Sequence, residues 1–274
     1  MIPVFVPSYG RPLAKFLLRA VDQKFPLYVF VRKEEREAYS WIKERPDTHL
    51  VVLLSRVSNI GETRRSMFNY AVCKGIDKMI MLDDDVTRLD LSMVDPITGK
   101  VKASGNVIGH TENWGKVIKR WEQLWTDEAM FGAAYRPFAW SMTENEILKT
   151  KRGQLQQAVG INVKRIHDAG LNYQSNTIVG NEDLYLQLEC YINGLDCVRT
   201  NAIQYDCSAM GTGEGGCNAS EAGSIQDKQE RRVKAFLDAC DRPELVKVAQ
   251  TRSGVKSIKF VWTEISKIME DKHV

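Results

Sequence analysis

The chain has 274 residues, of which 43% are apolar and 27% are charged, and its formal net charge at pH 7 is +3. These ordinary values predict a globular protein with enough apolar side chains for one large α/β domain or two small ones. No stretch of about 18 apolar residues occurs, which excludes a membrane-spanning helix, and so small a net charge permits contact with nucleic acid without arguing for it.

The first 90 residues alternate short apolar runs with segments of helical spacing. We predict strands at 4–6, 27–31, 50–54 and 78–82. Helices are predicted between them, at 13–24, 33–44 and 61–74. Apolar strands separated by helices indicate an α/β fold with a mainly parallel sheet covered by helices on both faces. Ligands of such sheets bind beyond the carboxyl ends of the strands, so we expect the loops at 7–12, 55–61 and 83–88 to converge.

The second half of the chain is less regular. Helices are predicted at 112–125, 163–169, 182–193, 226–240 and 257–270, with one strand at 129–135. The tryptophans of the first of these helices are interpreted as core residues rather than as a cofactor stack. The segment 211–223 contains five glycines and is predicted to be a mobile loop. No linker is visible, so we expect a single domain over 1–274, without an obligate protein partner.

We predict that the first strand begins almost at residue 1. The N-terminus lacks the basic segment and the cleavage site of a signal peptide, so a cytoplasmic location is expected.

Three consecutive aspartates, Asp83, Asp84 and Asp85, follow the fourth apolar strand. Neighbouring carboxylates repel and raise one another's pKa, which a bound Mg²⁺ or Mn²⁺ would relieve. Because alternate side chains of a strand point the same way, Asp83 and Asp85 are expected to face a ligand while Asp84 turns aside. An exposed acidic turn capped by Asp83 is the simpler alternative.

An apolar strand ending in Asp-x-Asp resembles the metal-binding motif of GT-A glycosyltransferases, which use nucleotide-sugars. Residues 4–12 resemble the opening strand and nucleotide-contacting turn of this family, and 59–69 resemble its glycine-plus-arginine helix start. A helix start with an arginine suits a diphosphate, although ordinary capping beside two solvated arginines is the alternative. The resemblance implies nucleotide contacts by Pro7, Ser8, Tyr9, Arg11, Asn59, Gly61, Arg64, Arg65, Asp83 and Asp84.

A third match to the family lies downstream. Residues 157–162 resemble its glycine-bearing acceptor loop, with Gly160 as the glycine that contacts the ligand, and 163–170 resemble its short helix. Glu182 and Asp183 resemble its x-E-D motif, whose final acid is the general base of inverting enzymes. The resemblance therefore implies Asp183 as catalytic base with Glu182 beside it, although simple pairing of both acids with the helix dipole is the alternative.

The same resemblance implies a bound Mn²⁺ or Mg²⁺ with Asp85 and Asp83 as ligands. Many GT-A enzymes add a histidine after x-E-D, but no histidine lies in that segment here. Asp206 occupies roughly that place and is predicted to act as the substitute ligand. Otherwise Asp85, the diphosphate and water would hold the metal.

The resemblance covers 2–207 and divides the chain into parts. It implies a nucleotide-binding half at 1–90 and an acceptor half at 91–207, followed by a flexible loop and helical segment at 208–274. The implied reaction moves a sugar from a nucleotide-sugar, UDP-glucose by default, to an acceptor hydroxyl with inversion. In the last segment, Lys256 or Lys259 is predicted to touch the diphosphate.

The segments 5–12 and 83–85 also resemble those of the TET/JBP-associated glycosyltransferases, often encoded by phages. This resemblance implies hydroxymethylated pyrimidine in DNA, such as 5-hydroxymethylcytosine, as acceptor. Basic clusters at 149–152 and 164–165 would then follow the phosphates, and 211–223 would close over an extruded base. Candidates to stack on that base are Tyr135, Trp140 and Tyr173.

Other interpretations stay open. One is a glycan or protein acceptor, and another is an inactive GT-A scaffold or nucleic-acid-binding module. A nucleotidyltransferase shares the metal aspartates, but residues 7–12 match its glycine-rich opening loop poorly. A plain nucleic-acid-binding protein would need a stronger basic patch than this net charge indicates.

Overall fold

A computed structural model describes residues 1–20, 24–54, 57–94, 101–103, 114–135, 153–174, 180–207, 223–250 and 254–272. The strands are β1 (Val4–Pro7), β2 (Leu27–Val31), β3 (Thr48–Val52), β4 (Lys78–Leu82), β5 (Val86–Val94), β6 (Val101–Ala103), β7 (Met130–Tyr135), β8 (Ala158–Asn162), β9 (Cys197–Cys207), β10 (Val246–Gln250) and β11 (Lys256–Phe260). The α-helices are α1 (Lys15–Ala20), α2 (Ile60–Cys73), α3 (Trp114–Leu124), α4 (Val163–Asp168), α5 (Glu182–Ile192), α6 (Ile225–Ala239) and α7 (Trp262–Lys272).

Nine strands form one sheet in the order β3-β2-β1-β4-β8-β7-β9-β5-β6. The neighbours β3, β2, β1 and β4 are parallel, which confirms the parallel sheet predicted for the first 90 residues. Only β8 and β5 run against the other described strands of this sheet. The fold is therefore α/β with a mainly parallel central sheet, as expected, and β10 and β11 form a separate antiparallel pair.

Each face of the sheet packs against its own core, because successive strand residues point to opposite sides. Phe5 of β1 lies in a core that includes Phe68 of α2 and residues of α4 to α7. Its neighbour Val6 lies in the opposite core, with residues of α1 and α3. In that second core Trp114 and Trp121 are almost fully buried, which confirms them as core residues. Burial of each such large side chain stabilises the fold by about 1.5–3 kcal/mol.

The exposed helix predicted at 33–44 was wrong. The chain forms two short 3-10 helices there instead, Lys33–Glu35 and Ser40–Glu44. Tyr39, which lies between the two helices, and Ile42, which lies in the second one, are completely buried in the second core. Glu, Lys and Arg favour a helix intrinsically, but the packing of these two apolar side chains overrides that preference.

Several strands were missed or misplaced. The predicted helix at 257–270 is β11 followed by α7, although apolar Ile258 and Phe260 alternate with polar Ser257 and Lys259, as is typical of a strand. The predicted strand at 50–54 begins two residues earlier, at Thr48, where it pairs with β2. The long strand β9 was not predicted because its central residues Arg199, Thr200, Asn201 and Gln204 are polar. Tertiary placement buries them, since β9 lies between β7 and β5.

The C-terminal elements pack onto α5. The ring of Phe236 in α6 lies 5.4 Å from that of Tyr185, and the ring of Phe260 in β11 lies 6.2 Å from that of Tyr191.

The predicted loop at 211–223 falls outside the described residues except for Gly223. In the part of the chain that is described, no helix is long and apolar enough to cross a bilayer. The expected cytoplasmic location stays a prediction.

Candidate functional site

Polar segments meet at the carboxyl ends of β1 and β4, which are parallel neighbours in the sheet. Ser8 follows β1, and Asp83 follows β4. The first turns of α2 and α5 point acidic and basic side chains into the same place. The expected convergence of the loop at 7–12 with the aspartates is confirmed by contacts, whereas part of the loop at 55–61 lies outside the described residues.

Arg64 on α2 is the centre of this cluster. Its guanidinium lies 2.7 Å from Asp83 Oδ1 and 2.6 Å from Asp183 Oδ2, and it also pairs with Glu182. Burial would lower the pKa of Arg64, but Asp183, Asp83 and Glu182 together raise it well above its usual value. One buried cation thus joins the end of β4 to the start of α5.

Asp183 is 3% exposed and is held from two sides. Arg64 pairs with Oδ2, and the hydroxyl of Tyr173 donates to Oδ1 at 3.2 Å. Burial raises the pKa of Asp183 to about 7, and Glu182 and Asp83 add to this while Arg64 and Tyr173 oppose it. A carboxylate whose pKa is near neutrality can both hold and release a proton at physiological pH.

Asp84 lies in the turn that follows β4 and contacts the segment that follows β1. Its Oδ2 accepts a hydrogen bond of 2.6 Å from Ser8, and its Oδ1 lies 2.8 Å from the Arg11 guanidinium. The Tyr39 hydroxyl completes this arrangement, 2.8 Å from Ser8 Oγ and 3.0 Å from the Arg11 backbone nitrogen, which donates to it. Burial raises the pKa of Asp84, while Ser8 and Arg11 oppose the rise. Asp84 therefore ties β1 to β4 instead of facing a ligand.

Asp85 is the least satisfied of the three aspartates. Its Oδ2 lies 3.8 Å from the Arg11 guanidinium, and its buried Oδ1 has no hydrogen-bond partner among the described residues. Burial, with the charges of Asp83 and Asp84, raises the pKa of Asp85 to about 7. Five carboxylates in this cluster share the guanidiniums of Arg11 and Arg64. The negative charge left over suits a cation.

Asp206, the predicted substitute metal ligand, lies on β9. Its Oδ1 accepts the backbone N–H of Cys207 at 3.0 Å. The neighbouring thiol of Cys207 is partly buried, and burial together with the charge of Asp85 raises its pKa to about 11. No group of three or more His, Cys, Asp or Glu side chains among the described residues is arranged to hold a metal.

The residues predicted to contact the nucleotide do not all lie at the carboxylate cluster. Asn59 caps α2 by accepting the N–H of Glu62 at 2.9 Å, so ordinary capping occupies this helix start. Gly61 is buried in the first turn of that helix, and Arg65 is exposed on the opposite side from Arg64. Pro7 ends β1, and the Tyr9 ring lies 3.9 Å beneath the Arg32 guanidinium. Of these residues, Ser8 and Arg11 contact the carboxylates of the cluster.

Gly160 lies elsewhere, and the acceptor loop predicted around it is a strand. It sits in the middle of β8, paired with Ile80. A Cβ added there would lie 2.7 Å from the Trp125 ring. The structure therefore explains this glycine by packing and does not bring it to the carboxylates.

The basic residues predicted to follow the DNA phosphates and the aromatic residues predicted to stack on a base lie in several different places. Lys164 pairs with Asp168 at 2.5 Å and Arg165 with Asp127 at 2.9 Å. The cluster at 149–152 and Trp140 lie outside the described residues. Tyr173 is 1% exposed, so it supports Asp183 instead of offering a stacking face. Half-buried Tyr135 at the end of β7 lies 5.6 Å from the ring of Tyr205.

Two residues of the site were missed by sequence reasoning. Tyr39 lay in a segment interpreted as an exposed helix, and nothing in its local sequence indicates a buried hydroxyl. Tyr173 was noted only as a stacking candidate, and its contact with Asp183 depends on how the chain returns over α2.

A family model described as "TET-Associated Glycosyltransferase" matches residues 2–216 of this chain. No curated protein matches. Among solved structures, the chain is similar to GalNAc-T7 with UDP, GalNAc and Mn²⁺, at 11% identity and a TM-score of 0.47, covering 89% of this chain and 49% of that one. It is also similar to 4-diphosphocytidyl-2C-methyl-D-erythritol synthase from Anaerococcus prevotii DSM 20548, at 10% identity and a TM-score of 0.41, covering 85% and 95%. A third is a putative nucleotide-diphospho-sugar transferase from Desulfovibrio desulfuricans G20, at 10% identity and a TM-score of 0.40, covering 76% and 80%.

Proposed function

Because the chain belongs to the TET-associated glycosyltransferase family, it is a glycosyltransferase with a nucleotide-sugar donor, and we propose a specific reaction for it. The protein moves a sugar, glucose from UDP-glucose in our first choice, to the hydroxyl of a hydroxymethylated pyrimidine in DNA. The transfer inverts the anomeric carbon and depends on Mn²⁺ or Mg²⁺. The observation that carries this proposal is the buried Arg64, which brings the predicted metal site and the predicted base together.

The proposed general base is Asp183. The acceptor hydroxyl must lose a proton as it attacks the anomeric carbon, and a carboxylate with a pKa of about 7 suits that proton. Tyr173 and Arg64 each hold one oxygen, which sets the direction of the carboxylate. Glu182 lies beside the proposed base, is 1% exposed and pairs through Oε1 with the same guanidinium, so in this proposal it helps to hold Arg64.

The residues present fit a divalent cation. The side chains of Asp83 and Asp85 are 20% and 28% exposed, whereas that of Asp84 is 7% exposed. Hard cations prefer carboxylate oxygens, usually one or two from protein with phosphate and water completing the shell. A metal held there would neutralise the departing diphosphate. Asp206, bonded to the Cys207 amide, is a weaker candidate ligand than the sequence pattern indicated.

A DNA acceptor is supported by the family and by one aromatic side chain. Tyr135 is half-buried, and its ring packs on the ring of Tyr205. Burial raises the pKa of Tyr205, and the charges of Asp83 and Asp183 add to the rise. In this proposal the half-buried ring of Tyr135 stacks on a base extruded from the duplex. The acceptor test described below distinguishes DNA from glycan and protein acceptors.

Calorimetric titration tests the donor site. Wild-type protein is titrated with UDP-glucose and other nucleotide-sugars, with and without Mn²⁺, and compared with Asp85→Asn. We expect metal-dependent binding that the variant loses, because the orphaned Oδ1 of Asp85 is a candidate ligand. The matched control is Asp168→Asn, an exposed aspartate paired only with Lys164, which should bind as the wild type does.

The acceptor is tested next, by offering DNA with hydroxymethylated cytosine, unmodified DNA and simple sugars to the donor-loaded enzyme. Transfer to the first alone supports the proposal. Transfer to simple sugars or protein would replace the DNA acceptor, and metal-independent donor binding would contradict the proposed cation site.

A further inference from the structure

The two-stranded ribbon formed by β10 and β11 has one face in the core and one face outside. Val246 and Ile258 point inward and are buried. On the outer face Lys247 is paired directly with Lys259 across the two strands, and both are exposed. The ribbon lies after residue 216, so the match to the family model does not include it.

The two lysines place like charges opposite each other. Such a pair destabilises a sheet slightly unless an anion neutralises it. Among the described residues neither lysine forms an ion pair, since Lys259 Nζ donates to the neutral Gln154 Oε1 at 3.1 Å. Lys256, at the other end of the ribbon, pairs with Glu230 at 3.2 Å, but both side chains are exposed and the pair is weak. The outer face therefore presents positive charge to the solvent.

Lys259 is linked to the proposed catalytic site through Gln154. Gln154, which holds Lys259, precedes Leu155, whose N–H donates to Gln187 at 3.0 Å. Gln187 lies four residues beyond Asp183 on α5, a rise of about 6 Å. Three residues after Gln154, the carbonyl of Gln157 accepts the N–H of Asp83 at 2.9 Å. Three residues span at most about 11 Å, so Gln154, which Lys259 contacts, lies within about that distance of the residue that bonds to Asp83.

We propose that Lys247 and Lys259 bind the sugar–phosphate backbone of the acceptor DNA, a few nucleotides away from the base that is modified. This inference rests on the DNA acceptor of the proposed function. One DNA strand carries a phosphate about every 3.4 Å along the helix axis, so a strand that presents a base to Asp183 brings phosphates within reach of the ribbon. A local pair of lysines explains how a chain with a net charge of +3 would engage a polyanion.

The test compares the full-length wild type with the double variant Lys247→Ala/Lys259→Ala. Binding of a labelled duplex with hydroxymethylated cytosine is followed by fluorescence anisotropy over a range of salt concentrations. Each lost phosphate contact should reduce the slope of log K against log salt by about one, so the slope should fall by about two. The affinity near 0.1 M salt should fall about tenfold or more, and donor binding should not change.

The control is Lys43→Ala/Lys74→Ala, which removes the same charge from exposed positions in the 3-10 helix Ser40–Glu44 and at the C-terminal end of α2. It should keep the wild-type slope. A modified dinucleotide, too short to reach the ribbon, should be glycosylated equally by wild type and double variant.

The outcomes separate the two proposals. An unchanged salt slope in the Lys247→Ala/Lys259→Ala variant of an enzyme that glycosylates DNA would overturn the ribbon contact alone. Wild-type protein that binds DNA through these lysines but transfers no sugar to it would contradict the proposed acceptor and support the ribbon contact. Absence of DNA binding by the wild type would overturn both.

Discussion

At the scale of single residues, Arg64 has a different partner from the one expected. Its place at the start of α2 indicated contact with a diphosphate, yet its guanidinium is shared by Asp83, Glu182 and Asp183. An arginine suits this role because its planar donors can serve several carboxylates at once, which a lysine ammonium does less well. Arg64 therefore positions the carboxylates of Asp83, Glu182 and Asp183, and the last of these is the proposed base.

Tyr173 provides a test of the proposed base by pH. Transfer requires ionised Asp183, so the rate should rise with pH through the pKa of about 7. The hydrogen bond from Tyr173 lowers this pKa, so Tyr173→Phe should move the rising limb to higher pH and reduce kcat below it. The measurement is kcat against pH under donor saturation.

Tyr39→Phe is the control for that experiment. Its hydroxyl also lies in the site but contacts Ser8 and the Arg11 amide, not Asp183. The control should keep the wild-type rising limb. If Tyr173→Phe gives the same profile as the wild type, Asp183 is not the group that titrates.

At the scale of elements, a substitution of Gly160 tests whether this glycine is needed for packing within β8 or for contact with a ligand. In the interior of β8, an added Cβ would lie 2.7 Å from the Trp125 ring, and overpacking of this kind costs roughly 1–3 kcal/mol. Gly160→Ala should therefore lower the free energy of unfolding in urea by about that amount. Donor affinity of the folded variant should stay unchanged.

Gly115 in α3 is the matched control, because a Cβ there would meet nothing within 4 Å. Alanine favours a helix over glycine by up to about 1 kcal/mol, so Gly115→Ala should be neutral or stabilising. A Gly160→Ala variant with normal stability but lost donor binding would restore the ligand role that the family resemblance implied.

At the scale of the whole molecule, the elements that follow the family match complete the core beneath α5, the helix that carries the proposed base. Phe236 of α6 is fully buried and packs edge-on against Tyr185 of α5, the helix that begins with Glu182 and Asp183. Phe236→Ala should therefore destabilise the protein by roughly 3–5 kcal/mol. Urea unfolding followed by tryptophan fluorescence should show the loss in one cooperative transition.

Leu13→Ala, which truncates a side chain that is 69% exposed, should change the free energy of unfolding by no more than about 0.5 kcal/mol. A small effect of Phe236→Ala, or a separate transition for α6 to α7, would show that the C-terminal elements fold independently of α5.

The amino-acid sequence alone determined the elements whose apolar pattern is local. β1, β2 and β4 and the helices that begin at Ile60 and Glu182 could all be predicted, because each buries a regular face or begins at a capping residue. The three aspartates at the end of β4 indicated an ion-binding site for an equally local reason, since adjacent carboxylates repel. The family resemblance and the α/β fold followed from these segments.

Only the tertiary structure decided which side chains meet. The polar strand β9 and the buried Tyr39 depend on neighbours far along the chain, so local pattern could not reveal them. Arg64 and Asp183 are separated by more than a hundred residues, and their contact exists because β4 brings the ends of α2 and α5 to one edge of the sheet. Burial there is what raises the pKa of Asp183 to about 7, and burial is a property of the packed molecule rather than of the residue.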